Sequence, residues 1–326
     1  MKVAVVKKYG APEVLQFSDV ATPTPKSNEV RIKIHATTVT SGDCRVRALN
    51  VPTGFGLMVR LVFGWSKPKQ PILGTELAGV IVAIGSNVSK FKIGDVVFAF
   101  LDFSMGCYAE FRCMAEDAAI VLKPASLGFD EAAALSFSGT TVLDFFRRAK
   151  LVAGERVLIN GASGAVGLAA VQLAKHVGAH VTGVCSSANV ALVKSLGADH
   201  VIDYTISDFT KNNKTYDVIM DTVGNAPFSR CKPSLKTNGR MLMVFADLND
   251  LLQVPWVALT STKKVIAGPV TSRVEDLHFL ASLAATGKYK SVIDRRYPFD
   301  QIVAAHRYVD TGRKVGNVII NVGGVT

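Results

Sequence analysis

A glycine-rich segment at residues 156–175 contains the residue types whose spacing most directly suggests chemistry. Its loop reads Gly161-Ala162-Ser163-Gly164-Ala165-Val166-Gly167 and lies between a short apolar strand and an apolar helix. Small residues let the backbone approach a phosphate, and the start of a helix offers unpaired N–H groups at the positive end of its dipole. A strand, a glycine loop and a helix in this order predict a site for the pyrophosphate of a dinucleotide.

The loop departs from the G-x-G-x-x-G pattern, because Ala162 stands where the first glycine belongs and Gly161 comes just before it. On the glycine spacing alone, a small turn without any ligand remains an alternative. The flanking strand and helix favour the nucleotide site. We therefore expect cofactor contacts from the loop residues Ala162, Ser163, Gly164, Ala165, Val166 and Gly167.

The end of the next strand bears on the choice between NADH and NADPH. In dinucleotide sites an Asp or Glu about twenty residues after the loop binds the ribose hydroxyls. Here Cys185 occupies that position and Ser-Ser-Ala-Asn follows, so no carboxylate in this stretch repels a 2′-phosphate. Hydroxyl and amide groups can donate to the phosphate, which favours NADPH, although the stretch has no Arg or Lys. We expect these contacts from Ser186, Ser187 and Asn189, assisted by Lys194 and Tyr204.

Two different patterns of elements must position these residues. Residues 1 to about 122 read as short strands punctuated by glycines, which predicts a compact, partly barrel-like β domain. From Asp130 onward helices and strands alternate, which predicts a parallel sheet with helices on both faces. A final strand at residues 317–322 is expected to return to the first domain.

Composition limits the function classes. The chain has 326 residues and a formal net charge of +11, but its Lys and Arg residues are scattered, so we do not expect a nucleic-acid site. The five cysteines form no C-x-x-C pair, and the N-terminus lacks the pattern of a signal peptide. The most apolar loop, residues 54–65, is interrupted by Arg60 and is too short to span a bilayer. We expect a soluble cytoplasmic protein with no membrane partner.

Several longer segments together resemble one superfamily. They include PILGTELAGVIVAIGSNVSKFKIGDVVFAF, CYAEF, GERVLINGASGAVGLAAVQLAK, LGADHVIDY and YDVIMDTVG. Over nearly the whole chain the sequence resembles the zinc-free branch of the medium-chain dehydrogenase/reductase superfamily, the quinone oxidoreductase (zeta-crystallin-like) group. The resemblance implies an α/β protein, usually dimeric. Its GroES-like, mostly-β catalytic domain would comprise residues 1–124 and 270–326, and a Rossmann doubly wound parallel-sheet domain would comprise residues 125–269.

The resemblance also bears on metal chemistry. Zinc members of the superfamily carry a Cys at the position matching Thr40 and a His at the position matching Thr75. Threonine is a poor zinc ligand and Glu76 alone cannot hold the ion, so we expect no metal. Thr40 is then the candidate for a polar contact with the developing oxyanion, although a threonine that satisfies a turn explains it equally well. Asp43 matches an acidic position of the same loop, where local capping or pairing with Arg45 or Arg47 is the alternative.

Other positions that match the family lie at the nicotinamide end of the cofactor. The resemblance implies such contacts for Thr141, for which helix N-capping is the alternative, and also for Phe245, Ile266, Gly268 and Asn317. At these sites a plain core role is the competing explanation. The loop at residues 50–70 is unusually long and apolar, which suggests either a wall or lid of a hydrophobic substrate pocket, or a helix packed on the surface or at a dimer contact.

These observations predict an NADPH-dependent, zinc-independent oxidoreductase that transfers hydride to quinones or α,β-unsaturated carbonyls, with a small apolar substrate and a homodimeric assembly. Such acceptors spread their own negative charge and therefore do not need a Lewis acid. One alternative is a reductase of enoyl thioesters or other double bonds, which would need a proton donor. Another is a low-turnover NADPH-binding protein with a structural or RNA-binding role.

Overall fold

The computed structural model describes residues 1–50 and 53–323, which form two compact units. Unit 1 comprises Met1–Val51, Gly56–Phe137 and Ser272–Thr326, and unit 2 comprises Pro52–Phe55 and Ser138–Thr271. Among the described residues, no helix is both long and apolar enough to cross a membrane.

The strands and helices are numbered in chain order. The strands are β1 (Lys2–Val6), β2 (Leu15–Asp19), β3 (Glu29–Thr38), β4 (Glu76–Ile84), β5 (Val96–Phe100), β6 (Phe111–Ala115), β7 (Ile120–Leu122), β8 (Arg156–Asn160), β9 (His180–Cys185), β10 (His200–Asp203), β11 (Tyr216–Asp221), β12 (Leu235–Met243), β13 (Lys264–Ile266), β14 (Ile293–Pro298) and β15 (Asn317–Asn321). The α-helices are α1 (Ser41–Ala48), α2 (Gly56–Phe63), α3 (Phe129–Ala133), α4 (Ser136–Ala149), α5 (Ala165–Val177), α6 (Val190–Ser195), α7 (Phe228–Cys231), α8 (Leu248–Thr260), α9 (Val274–Ala285) and α10 (Ile302–Asp310).

Unit 1 is built on a mostly antiparallel sheet with the strand order β14-β15-β3-β4-β5-β7, and β6 pairs with β3 from outside this path. The long strand β3 organises it, because alternate residues of β3 are buried in a core formed with β4 and β5. The last strand, β15, pairs antiparallel with β3. The chain therefore does return to its first unit after the second has been completed.

Unit 2 contains six parallel strands in the order β10-β9-β8-β11-β12-β13. Short apolar runs such as β8 and β9 are buried along nearly their whole length, as expected for strands covered by helices on both faces. The strand order reverses between β8 and β11, the place where a doubly wound sheet opens a crevice for ligands. The predicted fold class, a GroES-like domain plus a Rossmann domain, is confirmed.

Several elements differ from the sequence predictions. The first unit continues to Phe137, beyond the predicted boundary at residue 124, because α3 packs on β3 and β4, with the Phe129 ring stacked 4.2 Å from the His35 ring. The strand predicted at residues 108–112 begins only at Phe111. Helices α1 and α8 lie where no helix was predicted, since α1 has few apolar residues and α8 contains Pro255. Helix α2 lies within the loop at residues 50–70, for which a helix was one of the two alternatives.

Candidate active site

The glycine loop joins β8 to α5 in a turn that leaves no room for larger residues. Gly161 has φ +80°, and a Cβ there would lie 2.5 Å from a methyl carbon of Val223. A Cβ on Gly167 would lie 2.1 Å from the Gly161 carbonyl oxygen. Because Gly164 provides no side-chain cap and the first turn of α5 carries no acidic residue, the N–H groups of that turn remain for an anion. The loop therefore fits a pyrophosphate.

Not all residues of the glycine loop are accessible to a cofactor. Ala162 is fully buried and its N–H donates to the Val184 carbonyl oxygen at 2.9 Å, while the Gly164 N–H donates to the Gly161 carbonyl oxygen. These two N–H groups hold the turn together, so they are not free for the cofactor. Ser163, Gly164, Ala165 and Val166 are partly exposed, whereas Ala162 and Gly167 are buried.

A buried carboxylate stabilises the crevice between β8 and β11. One oxygen of Asp221 accepts hydrogen bonds from the Asn160 side-chain amide at 2.9 Å and from the Val223 N–H at 3.0 Å, and the other accepts from the Ala226 N–H. These bonds fix the turn that follows β11. The sequence prediction did not include Asp221, although the DTVG motif that contains it was among the segments carrying the family resemblance.

Three residues predicted near the nicotinamide lie at the ends of the neighbouring strands. Phe245 follows β12, and its ring packs so closely on Gly224 that a Cβ there would lie 2.4 Å from the ring. Ile266 ends β13, and Gly268 two residues later has φ +101° with open space around it. Thr141 is the sixth residue of α4 and is buried, so the alternative in which it caps the start of this helix is wrong.

The residues predicted around the adenosine end gather where β9 and β10 stop side by side. Cys185 and Asp203 are register partners, the Tyr204 N–H donates to the Cys185 carbonyl oxygen, and Ser187 donates from its hydroxyl to the Asp203 carboxylate. The nearby Ser186 hydroxyl accepts from the Asn189 amide at 3.2 Å. Asp203 was missed because it ends the next strand, β10, rather than following the strand that ends at Cys185. The fold thus supplies the carboxylate that the local sequence lacks.

In unit 1, Thr40 and Asp43 form a reciprocal capping box at the start of α1. Asp43 accepts hydrogen bonds from the Thr40 N–H at 2.8 Å and from the Thr40 hydroxyl at 2.6 Å, and its own N–H donates to that hydroxyl at 3.1 Å. Both side chains are buried. Local capping, the alternative considered for both residues, is therefore observed, whereas Arg47 forms its ion pair with Asp310.

Burial dominates the electrostatics of Asp43. It raises the pKa of the carboxyl, against the hydrogen bonds from Thr40 and from the Gly74 N–H that favour the ionised form. The Tyr108 side chain lies beside it and is fully buried, and burial followed by the charge of Asp43 raises the pKa of Tyr108 well above its usual value. The second Asp43 oxygen and the Tyr108 hydroxyl both lack a well-aligned hydrogen-bond partner within the described chain. The Asp43 carboxyl therefore keeps its proton to a higher pH than an exposed aspartic acid does.

Thr75 and Glu76 lie at the start of β4. The Thr75 hydroxyl is buried and lacks a partner among the described residues. Glu76 accepts hydrogen bonds from the Thr38 hydroxyl at 2.5 Å and from the Phe137 N–H at 2.7 Å. Burial raises the pKa of Glu76 to about 7. Within residues 1–50 and 53–323, no three His, Cys, Asp or Glu side chains are grouped so that they could hold a metal ion.

A buried arginine ties α1 to α10. The Arg47 guanidinium donates to the Gly10 carbonyl at 3.1 Å, to His306 Nδ1 at 3.2 Å and to Asp310 at 2.7 Å. The Cys44 thiol lies 3.3 Å from the same imidazole nitrogen. Burial lowers the pKa of His306 to about 3, so the imidazole is neutral and accepts through Nδ1. The cluster holds α1 against α10, so these residues have a structural role.

Asn317, the fifth residue predicted at the nicotinamide end, begins β15 in unit 1. Its side-chain amide donates to the Val292 carbonyl oxygen at 3.1 Å, and its backbone N–H donates to the same oxygen at 2.8 Å. The residue is almost fully buried. These bonds give Asn317 a structural role in joining β15 to the segment before β14.

Two family descriptions match parts of the chain. Residues 26–125 match the alcohol dehydrogenase GroES-like domain, and residues 196–320 match the family described as zinc-binding dehydrogenases. Among curated proteins, a chloroplast envelope quinone oxidoreductase homolog of Arabidopsis thaliana is 33% identical over 94% of this chain and 93% of its own length. A 2-methylene-furan-3-one reductase of Solanum lycopersicum is also 33% identical, over 98% of this chain and 79% of its own length.

Solved structures show the same similarity. The quinone oxidoreductase of Coxiella burnetii superimposes with a TM-score of 0.88 at 30% identity and covers 99% of both chains. The quinone oxidoreductase of Escherichia coli, solved in complex with NADPH, gives a TM-score of 0.83 at 25% identity, over 99% of this chain and 100% of that one.

Proposed function

Given that the chain belongs to the quinone oxidoreductase group of the medium-chain dehydrogenase/reductase superfamily and is an NAD(P)H-dependent oxidoreductase, we propose that it reduces quinones and α,β-unsaturated carbonyls without zinc. The observation that carries the proposal is the buried Thr40–Asp43 pair in unit 1. The tomato relative supports the second substrate class, because a 2-methylene-furan-3-one is itself an α,β-unsaturated ketone.

The reduced nicotinamide supplies a hydride when it is bound, and the chain must then handle the negative charge that develops on the acceptor oxygen. The Thr40 hydroxyl donates to Asp43 when the carboxyl is ionised. When Asp43 carries a proton on that same oxygen, the bond reverses and Asp43 donates to the Thr40 hydroxyl, which also accepts from the Asp43 N–H. The Thr40 proton is then free to pass to the acceptor oxygen, and the Asp43 proton replaces it on Thr40. A hydride and a proton together convert a quinone to a hydroquinone, a balanced two-electron reduction.

Zinc independence rests on the donor set. Threonine hydroxyls at positions 40 and 75 are poor zinc ligands, and the Thr40 hydroxyl is already engaged with Asp43. Glu76 is engaged with Thr38 and Phe137. Metal analysis of the purified protein tests this part of the proposal, and one zinc ion per chain would contradict it.

We also propose NADPH as the preferred cofactor, with only a modest preference over NADH. Ser186, Asn189 and Tyr204 supply donors near the end of β9, and the Escherichia coli structure contains NADPH. Asp203 limits the preference for NADPH. Its carboxylate accepts the hydrogen bond of the Ser187 hydroxyl and repels a nearby phosphate. Michaelis constants for NADPH and NADH test this, and a clear NADH preference would contradict it.

A homodimer is part of the same proposal. On α8 the side chains of Leu248, Leu252, Trp256 and Leu259 repeat at helical spacing, and all are exposed. Among the described strands, β13 pairs only with β12, so its other edge is open. An apolar stripe and an open edge in one unit fit a second copy of the chain. Analytical ultracentrifugation should show a dimer, and Leu252→Asp with Leu259→Asp should give a monomer. An unchanged mass would argue against this surface.

A cytoplasmic location also remains a proposal. All five cysteines are free thiols, as in proteins of a reducing compartment.

One assay separates the main proposal from its alternatives. NADPH consumption should be measured with quinones, enones and enoyl thioesters for the wild type, Thr40→Ser and Thr40→Val. We expect turnover of quinones and enones that Thr40→Ser keeps and Thr40→Val loses. Preferred turnover of enoyl thioesters would instead indicate a thioester reductase. Tight NADPH binding with no turnover would indicate a binding protein.

A further inference from the structure

Helix α2 of unit 1 presents an uncovered apolar surface. Its outward side chains form two pairs at helical spacing, Leu57 with Leu61 and Met58 with Val62, and Trp65 follows two residues after the helix; each of the five is more than half exposed. We call these five residues the α2 face. Phe103, also 60% exposed, lies beside the helix, with its ring 5.8 Å from that of Phe63. Contiguous exposed apolar surface of this kind marks an interaction site.

The opposite side of α2 holds the helix in place. Phe63 packs against the core cluster of unit 1, and the Tyr9 hydroxyl donates to the Gly64 carbonyl oxygen at 2.9 Å just after the helix. Lys69 donates to the Leu61 carbonyl at 2.6 Å and so caps the C-terminal end. A helix that is apolar on both sides is normally buried on both sides. Phe63 anchors one side of the helix while the α2 face stays exposed, so this face is available to a partner.

The charges in the segment that carries the α2 face have one sign. Between Asp43 and Glu76 the sequence contains no acidic residue, whereas Arg60, Lys67 and Lys69 are basic. Arg60 lies 6.0 Å from the Trp65 ring and donates to the Trp65 carbonyl. The carboxyl next to Phe103, on Asp102, is half-buried, and burial raises its pKa. An apolar face with a tryptophan and a cationic rim matches the composition of helices that lie in a membrane interface.

We propose that α2 docks this protein on the surface of a bilayer that contains anionic phospholipid, with the α2 face at the acyl boundary and Arg60, Lys67 and Lys69 at the headgroups. The eight residues of α2 are far too few to span a bilayer, but they can lie in its plane. The net charge of +11 adds a long-range attraction to such a surface. From the sequence we expected no membrane partner, because the apolar loop is too short to span a bilayer. The proposal revises that expectation for contact with the bilayer surface. It does not depend on the redox activity.

Sedimentation with vesicles tests the proposal on the full-length protein. The wild type should bind vesicles of phosphatidylcholine mixed with phosphatidylglycerol, bind pure phosphatidylcholine poorly, and be released by high salt. Leu57→Asp with Leu61→Asp should lower binding about tenfold or more. The control Ile93→Asp places a charge on another exposed apolar residue of unit 1 and should bind normally. Equal loss in the control, or no binding by the wild type, would overturn the proposal.

Charge reversal provides a second matched pair. Lys67→Glu with Lys69→Glu should weaken binding strongly, whereas Lys7→Glu with Lys8→Glu makes the same change in net charge at two other exposed lysines and should weaken it less. Equal effects of the two pairs would mean that only net charge matters and would contradict docking through α2.

Fluorescence locates the contact without altering the α2 face. The chain has two tryptophans, so Trp256→Phe leaves Trp65 as the only reporter. Its emission should shift to shorter wavelength on anionic vesicles. If it does not shift, and the aspartate variant instead raises the Michaelis constant for apolar quinones, α2 is a substrate lid and the docking proposal is wrong. A change of oligomeric state in that variant would identify a second copy as the partner and would also overturn it.

Discussion

The Ser187 hydroxyl donates a hydrogen bond to the carboxylate of Asp203, a residue that follows it by sixteen positions and ends the neighbouring parallel strand. The Thr205 hydroxyl and N–H donate to the same carboxylate, and together these bonds lower the pKa of Asp203. A negative charge is therefore held at the place where a 2′-phosphate was predicted to bind.

Replacing Asp203 should strengthen the preference for NADPH. In Asp203→Asn the repelling charge is removed and the Ser187 hydroxyl becomes available to a phosphate, so the Michaelis constant for NADPH should fall severalfold while that for NADH changes little. Steady-state kinetics with both cofactors measure the ratio. Asp300→Asn, an exposed carboxylate in the other unit, controls for net charge and should leave the ratio unchanged. If Asp203→Asn also leaves it unchanged, Asp203 does not face the cofactor.

The Thr40 hydroxyl is expected to act in turnover as well as in capping. Thr40→Val should lower kcat about a hundredfold, the usual loss for one donor at a developing oxyanion, whereas Thr40→Ser should keep most of the activity. Loss of the cap should also cost about 1 kcal/mol of stability. Thermal unfolding monitors that cost separately. If Thr40→Val is destabilised but fully active, Thr40 acts only as a helix cap and has no role in turnover.

The pH profile should report Asp43. Because burial raises its folded-state pKa, a proton remains on the carboxyl at higher pH than usual and is lost as the pH rises through that value. The rate with quinones should therefore fall on the alkaline side in the wild type, and Asp43→Asn should lack this descending limb. Measuring kcat against pH for both proteins checks it, and parallel profiles would exclude Asp43 as the proton source.

Glu76 should make the protein less stable as the pH rises. Its folded pKa of about 7 exceeds the ordinary value of 4.5, so the protonated form favours the native state. That contribution is complete below about pH 4.5 and is lost as the pH rises to about 7, on the order of 3 kcal/mol. Glu76→Gln mimics the protonated side chain and should become more stable than the wild type across this window. Urea unfolding at several pH values measures the difference. If the free energy of unfolding varies with pH in the same way for both proteins, the expectation is wrong.

Arg47 should resist conservative replacement. Lysine cannot reach Gly10, His306 and Asp310 at once, so Arg47→Lys should cost about 3 kcal/mol in the free energy of unfolding. Arg307→Lys on α10 is the matched control, because that arginine forms an exposed pair with Glu13 and should cost less than about 1 kcal/mol. Equal losses in chemical denaturation would show that the buried network is not the cause.

Features that rest on local sequence pattern were predicted correctly. The glycine loop at residues 161–167, the strand before it and the helix after it were predicted because turn chemistry and apolar periodicity are encoded in neighbouring residues. The family segments gave the two-part architecture and the class of cofactor. Local roles were also among the sequence alternatives, a turn satisfied by Thr40 and a cap formed by Asp43, and the two residues, three apart, do cap α1.

Contacts between residues far apart in the sequence depend on how the elements pack. Asp203 reaches Ser187 because two parallel strands end together, and Arg47 reaches His306 across 259 residues because α1 packs on α10. These contacts arise from strand order, register and helix packing. Residues brought together in this way show no periodic pattern within any one segment of the sequence. The same limit applies to α2. Its apolar composition was visible in the sequence, but which side is packed and which is exposed depends on the core that Phe63 joins.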